Sequence, residues 1–176
     1  MRKLLLIMVV AVVTMTAKAQ IYVGGELGFW RDYDANETTF KIIPEVGYKL
    51  SDKWAIGTTL GYEYLYAQGE KVNAMQVAPY ARYTALSFGN VNIFFDGGFG
   101  FKTYKEDETD DSFNSWEVGI KPGLSIALNS KLNFITHFGF LGYRDTDEGS
   151  AKSWGKDGLG FDFSGNNLTF GLNYHF

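Results

Sequence analysis

The chain has 176 residues, the size of one domain, with 16 basic and 20 acidic residues and a net charge of −4. It holds no cysteine, which excludes disulfides, a thiolate nucleophile and cysteine-ligated metals. An acidic balance lacks the basic footprint that phosphate backbones require, so nucleic acid is excluded as a partner.

The chain begins with the basic pair Arg2 and Lys3, an apolar run over residues 4–16, and then Ala17, Lys18 and Ala19. Small residues at the two positions a signal peptidase reads predict a secretory signal over 1–19 and a domain over 20–176. The apolar run is too short and wrongly flanked for a membrane anchor. Without Arg2, Lys3 and Lys18, thirteen basic residues face twenty acidic ones, a net charge of −7. Aromatics make up 17% of the chain, with 21 glycines and 3 prolines. Yet no later stretch offers the roughly 18 continuous apolar residues of a spanning helix. The apolar residues are spread over alternate positions, as in strands with one face toward lipid.

Eight such segments follow one another. The first, residues 21–31, sets Ile21, Val23, Leu27 and Phe29 against Gly24, Glu26 and Gly28. The second, 39–50, sets Phe40, Ile42, Val46, Tyr48 and Leu50 against Lys41, Glu45 and Lys49. The third, 54–66, sets Trp54, Ile56, Leu60, Tyr62 and Tyr64 against Gly57, Gly61 and Glu63. The fourth, 75–86, sets Met75, Val77, Pro79 and Tyr83 against Gln76, Tyr80 and Arg82. In the fifth, Val91, Ile93, Phe95, Phe99 and Phe101 oppose Asn92, Asp96, Gly98, Gly100 and Lys102. In the sixth, Trp116, Val118, Ile120, Leu124, Ile126 and Leu128 oppose Glu117, Gly119, Lys121 and Ser125. The seventh opposes Leu132, Phe134, Phe138 and Phe140 to Asn133, His137 and Gly139. The eighth opposes Leu168, Phe170, Leu172, Tyr174 and Phe176 to Asn167, Thr169, Asn173 and His175.

Tight turns at Ser51 to Lys53, Ser87 to Asn90 and Asn129 to Lys131 alternate with longer polar loops near 32–38, 67–74, 105–112 and 144–166. Short turns on one side and long loops on the other predict an all-β fold, a transmembrane antiparallel up-and-down barrel of eight strands. The polar face carries the acids Glu26, Glu45, Glu63, Asp96 and Glu117 and the bases Lys41, Lys49, Arg82, Lys102 and Lys121. An eight-stranded lumen is too narrow for the apolar set, so the charged face turns inward. Tyr48, Trp54, Tyr64, Tyr83, Trp116 and Tyr174 then form the interfacial girdles. Five charges of each sign predict a salt-bridged, sealed lumen centred on Arg82, whose planar fork holds two carboxylates. The alternative is a narrow porin-like channel.

The end of the chain, from Leu168 to Phe176, alternates and closes on an aromatic residue. It resembles the signal, here Phe170, Leu172, Tyr174 and Phe176, by which the outer-membrane assembly machinery recognises its clients. Pro79, Tyr80, Ala81, Arg82 and Tyr83 resemble a strand-four pattern of small Bacteroidota porin-like outer-membrane barrels. The whole chain resembles the OmpA/OmpX class of eight-stranded barrels. The resemblance implies the bacterial outer membrane as location, and membrane lipid, lipopolysaccharide and the assembly machinery as partners. It names no activity.

Some barrels of this size resemble lipid A-modifying enzymes that use His with Ser and an acid. The chain has 2 histidines, of which His175 lies at the periplasmic rim and His137 points inward beside Ser125, with Glu117 or Asp96 as acid. A lumen-facing trio behind a charge network lacks assured access, so a hydrogen-bonded interior histidine is the expectation. No catalytic residue, metal or cofactor is assigned. Asp107, Glu108, Asp110 and Asp111, and Asp145, Asp147 and Glu148, form acidic loops without EF-hand spacing. The loop over 144–166 carries Trp154, Phe161 and Phe163, candidate contacts for a surface ligand; the other reading extends strand eight through 160–163. The leading expectation is a monomeric, non-enzymatic barrel with a structural or surface-interaction role.

Overall fold

The computed structural model describes residues 20–34, 36–67, 69–106, 112–147, 157–163 and 167–176. The segment read as a signal, the acidic run 107–111 and Trp154 lie outside the described residues. Alternation becomes ten strand segments: β1 (Ile21–Asp32), β2 (Glu37–Lys49), β3 (Trp54–Ala67), β4 (Glu70–Phe88), β5 (Val91–Glu106), β6 (Ser112–Ala127), β7 (Leu132–Phe138), β8 (Phe140–Thr146), β9 (Gly158–Asp162) and β10 (Leu168–His175). Each of β1 to β6 pairs antiparallel with its sequence neighbour. β6 pairs with β7 and then β8, β8 with β9, β7 with β10, and β10 with β1. β7 with β8, and β9 with β10, each make one stave, so the sheet closes as an antiparallel barrel of eight staves. Along these ladders the backbone groups are partnered within the wall, which a lipid environment demands.

The break between β7 and β8 has a local cause. Gly123 faces His137 and Ile120 faces Leu141, so three residues around Gly139 oppose two on β6. One extra residue is a β-bulge, and it reverses which side chains face inward beyond it. Phe140, expected among the lipid-facing residues, is therefore turned into the barrel with 6% exposure, while Leu141 faces out. On the neighbouring stave, Leu168 faces Phe138 and Asp162 faces Phe140.

The strands run further outward than the alternation indicated. Of residues 67–74, expected as a loop, Ala67 closes β3 and 70–74 belong to β4, while Gly69 stands in a turn with φ +100°. The short turns are held by their own side chains: Ser51 Oγ accepts from the Trp54 amide at 3.1 Å, and Asn129 Oδ1 from the Lys131 and Leu132 amides at 2.9 Å.

The distribution of side chains is inverted relative to a water-soluble barrel. Met75 is 71% and Leu60 57% exposed, whereas Glu26 is 3% and Glu45 4% exposed. Apolar surface displayed round the whole wall, with carboxylates buried inside, is stable in lipid rather than in water. Aromatic pairs mark the belts: Trp54 with Tyr83 at 4.8 Å, and Trp116 with Tyr143 at 5.3 Å. Inside, glycines make room for rings. A Cβ on Gly123 would lie 2.3 Å from the Phe94 ring, and one on Gly47 2.2 Å from Tyr22. Toward the outer end, Leu65, Val72, Ala74, Tyr104 and Phe113 from β3 to β6 form a small apolar core on the inner face.

Candidate functional site

The lumen charges fall into two tiers. The lower one centres on Arg82 of β4, which faces Asp96 across the ladder to β5. Its Nε and Nη2 donate to the two Asp96 oxygens at 2.8 Å each, a fork-to-fork pair, and Nη2 also donates to Glu45 Oε1 at 2.8 Å. The guanidinium lies 4.3 Å above the Phe94 ring and 5.0 Å from that of Tyr80. The Tyr80 hydroxyl donates to Glu45 Oε1 and lies 2.7 Å from the Tyr22 hydroxyl, while Asn173 Nδ2 donates to Glu45 Oε2 at 2.8 Å. His137 bridges the tier sideways, with Nδ1 2.9 Å from Glu26 Oε1 and Nε2 2.9 Å from Asp96 Oδ2. The Thr169 hydroxyl donates to Glu26 Oε2.

The upper tier is built the other way round, with each carboxylate shared by two cations. Glu63 takes Lys41 at 3.1 Å and Lys102 at 2.6 Å, one on each oxygen. Glu117 takes Lys121 at 2.6 Å on Oε1, and Arg144 at 2.8 Å on Oε2. Gln76 Nε2 reaches Glu117 Oε1 at 3.5 Å, and Arg144 lies 4.8 Å over the inward-turned Phe140 ring.

Nine of the ten charges expected to share the lumen thus stand in it. Lys49, the last residue of β2, is the exception: its side chain is about half exposed, 3.8 Å from Asp52 of the adjoining turn. At a strand end its long stem carries the ammonium out to water. Arg144 and Phe140 escaped the alternation because the bulge at Gly139 precedes them. Phe94 shares its face with Asn92 and Asp96, and that parity was the available signal for its inward position.

Two cavities flank the Arg82 tier. One, of about 130 Å³, is lined by both tiers, including Glu26, Lys41, Lys102, Lys121, His137 and Arg144. The other, of about 190 Å³, lies toward the short turns and is lined by Tyr22, Lys49, Arg82, Phe94, Ser125 and His175. Ser125 faces Ile135, not His137, across the β6–β7 ladder. Both ring nitrogens of His137 are engaged by carboxylates, so neither is directed at that hydroxyl. His175 sits at the rim, stacked on Tyr22 at 5.2 Å, with Nε2 3.0 Å from Asn133.

The remaining expected residues lie on the wall or beyond it. Phe170, Leu172, Tyr174 and Phe176 share the outward face of the closing stave, and the Phe176 amide donates to Ile21 O at 3.1 Å. Phe161, in β9, is 75% exposed, and Phe163 59%, with ring centroids 6.0 Å apart. Asp145 Oδ2 accepts from Trp116 Nε1 and Asp147 Oδ2 from the Asn114 amide, both at 3.0 Å.

A closed wall of eight staves, apolar outside and charged within, defines a β-barrel protein of the bacterial outer membrane. The chain belongs to the family of the outer membrane protein beta-barrel domain, whose model matches residues 4–176. Among solved structures it is similar to Neisserial surface protein A, at 13% identity and a TM-score of 0.53 over 89% of this chain and 96% of that one. It is also similar to a loop-deletion mutant of OmpT, an outer membrane protein of Vibrio cholerae. There the identity is 12% and the TM-score 0.41, over 91% of this chain and 51% of that one. No curated protein matches the chain.

Proposed function

We propose that the protein is a non-conducting barrel of the outer membrane, closed by the Arg82 tier and serving a structural or surface-interaction role through its outer loops. The observation that carries this reading is the continuous chain Glu45–Arg82–Asp96–His137–Glu26, which links five staves across the lumen. Buried charges held in pairs on a rigid wall leave no free path for an ion with its water, because opening the path means unpairing them. On this reading residues 1–19 are removed on export, the closing stave engages the assembly machinery, and the outer rim meets lipopolysaccharide. The loop with Trp154, and the exposed Phe161 and Phe163, are where a surface ligand would be sought. His137, committed to two carboxylates, lends no support to lipid A chemistry.

A second reading is favoured by one feature: cavities lie on both sides of a single charged septum. A narrow pore would need that septum alone to move. Conductance in a planar bilayer separates the two. Folded wild-type protein is expected to be silent, and Arg82→Ala to produce steady openings as the cavities join. Steady openings from the wild type, altered by Arg82→Ala, would make the protein a small porin.

A further inference from the structure

His137 stands between two groups that only accept hydrogen bonds. Its Nδ1 lies 2.9 and 3.0 Å from the two oxygens of Glu26, and its Nε2 lies 2.9 Å from Asp96 Oδ2. A neutral imidazole has one N–H and one lone pair, so between two carboxylates it would turn that lone pair on one of them. An imidazolium has two N–H groups and satisfies both. The neighbouring staves offer no substitute. β1 presents Glu26, β5 presents Asp96 and the Phe94 ring, and the β10 and β6 ladders place Thr169 and Gly123 opposite His137. Beyond Asp96 stands Arg82 of β4, shared with Glu45 of β2. Lys121 of β6 and Arg144 of β8 are turned to Glu117, and Lys41 of β2 and Lys102 of β5 to Glu63. Among the described residues, His137 is the one cationic group bonded to Glu26.

We propose that the septum is a proton-locked gate: the imidazolium of His137 bolts Asp96 to Glu26 while the lumen is closed, and loss of its proton as pH rises parts the septum at that ring. The proposal rests on the closed-lumen reading above. A ring with one N–H left keeps one of its two contacts and loses the other. Asp96 is the carboxylate that can be released, since the Arg82 fork still holds both its oxygens at 2.8 Å. Glu26 keeps the remaining N–H and the Thr169 hydroxyl. The septum therefore divides without leaving a buried charge alone, and this separates opening from unfolding.

The place of this ring in the lumen makes its release matter. Glu26, Asp96 and His137 line the cavity of about 130 Å³, whereas Phe94 and Arg82 line the one of about 190 Å³. The Phe94 ring meets His137 edge-on, with centroids 5.2 Å apart and planes at 85°, so this contact is one layer between the two spaces. Solvent reaches both of them: the Lys121 and Arg144 side chains stay partly exposed in the first, and Lys49 in the second. The closed form holds one proton more than the open form. The open-to-closed ratio therefore rises with pH, by about tenfold per pH unit for one proton.

The test is conductance of the full folded protein in planar bilayers across a pH series kept below about 10, where lysines begin to lose their own protons. Wild type is expected to be silent at neutral pH and to open on the alkaline side with the one-proton slope. His137→Arg supplies a permanent cation with donors for both carboxylates, and is expected to stay silent throughout. His137→Gln offers one amide and no charge, and is expected to conduct at every pH. His175→Gln, at the periplasmic rim, is expected to keep the wild-type profile. Should His137→Gln fail to give a heat-modifiable band on gels, NMR of the wild type carrying nitrogen-labelled histidine decides. The ring signal that is absent from His137→Arg is expected to show both nitrogens protonated at neutral pH. A neutral ring, or alkaline opening retained in His137→Arg, would overturn the lock. Silence of the wild type at every pH would overturn the lock and leave the closed lumen standing, whereas openings at every pH would overturn both.

Discussion

Arg82 donates to three carboxylate oxygens from two nitrogens, so its removal strands Asp96 and Glu45 together. Breaking one side of a buried ion pair costs about 3–5 kcal/mol, because the partner charge stays buried without compensation. Arg82→Ala is expected to lower the unfolding free energy by about that amount in urea titrations of the protein in lipid vesicles. Arg82→Lys keeps the charge but offers no planar fork to Asp96, and its loss should fall between wild type and alanine. Full stability in the alanine variant would mean that the septum is held by something other than its charges. Asp96 is the more sensitive side of the pair, since it also faces His137 Nε2 at 2.9 Å.

At the scale of elements, the bulge at Gly139 decides what the seventh stave presents to the lumen. Deleting Gly139 would remove the extra residue and set Phe140 directly after the outward Phe138, so Phe140 and Arg144 keep their inward places and Tyr143 its outward one. Glu117 would then keep both Lys121 and Arg144. The deletion is therefore expected to cost well under the about 3–5 kcal/mol of a broken buried pair, read from the same urea titrations. This element also shows what the sequence made legible. Glu26, Lys41, Glu45, Glu63, Arg82, Asp96, Lys102, Glu117 and Lys121 were readable as one face, because uninterrupted strands keep a strict period. Phe140 and Arg144 were not, since a slip of one residue leaves the composition on either side unchanged. The outer extension of β3 to β6 was hidden for another reason. Polar residues such as Glu70, Lys71 and Asn73 read as loop, while the inward Leu65, Val72 and Tyr104 pack a core above the membrane. Leu65→Ala is expected to cost about 2–5 kcal/mol there. Hydrogen exchange should rise at the outer ends of β3 to β6, with the heat-modifiable gel shift retained.

For the whole molecule, the inversion of polarity makes depth in the membrane the main variable for any change on the outer wall. Leu60 lies midway along β3, six residues above Trp54 of the lower belt, and its side chain is exposed on the lipid face. Leu50 lies just beyond β2, next to the short turn, and is exposed on the same outer face. An arginine on the lipid face costs about 2–4 kcal/mol at the midplane and about 0–1 kcal/mol near an interface. Leu60→Arg is therefore expected to destabilise the barrel by about 2–4 kcal/mol and Leu50→Arg by at most about 1 kcal/mol. Urea unfolding in vesicles measures both, and the contrast between them carries the information. If the apolar wall faced water, either arginine would be nearly neutral, as surface substitutions away from special features usually are. If it faced another protein, the cost would follow local packing, not depth. A steep difference between the two positions arises only when the medium changes from hydrocarbon to water along one strand's length, as it does around a barrel set in a bilayer.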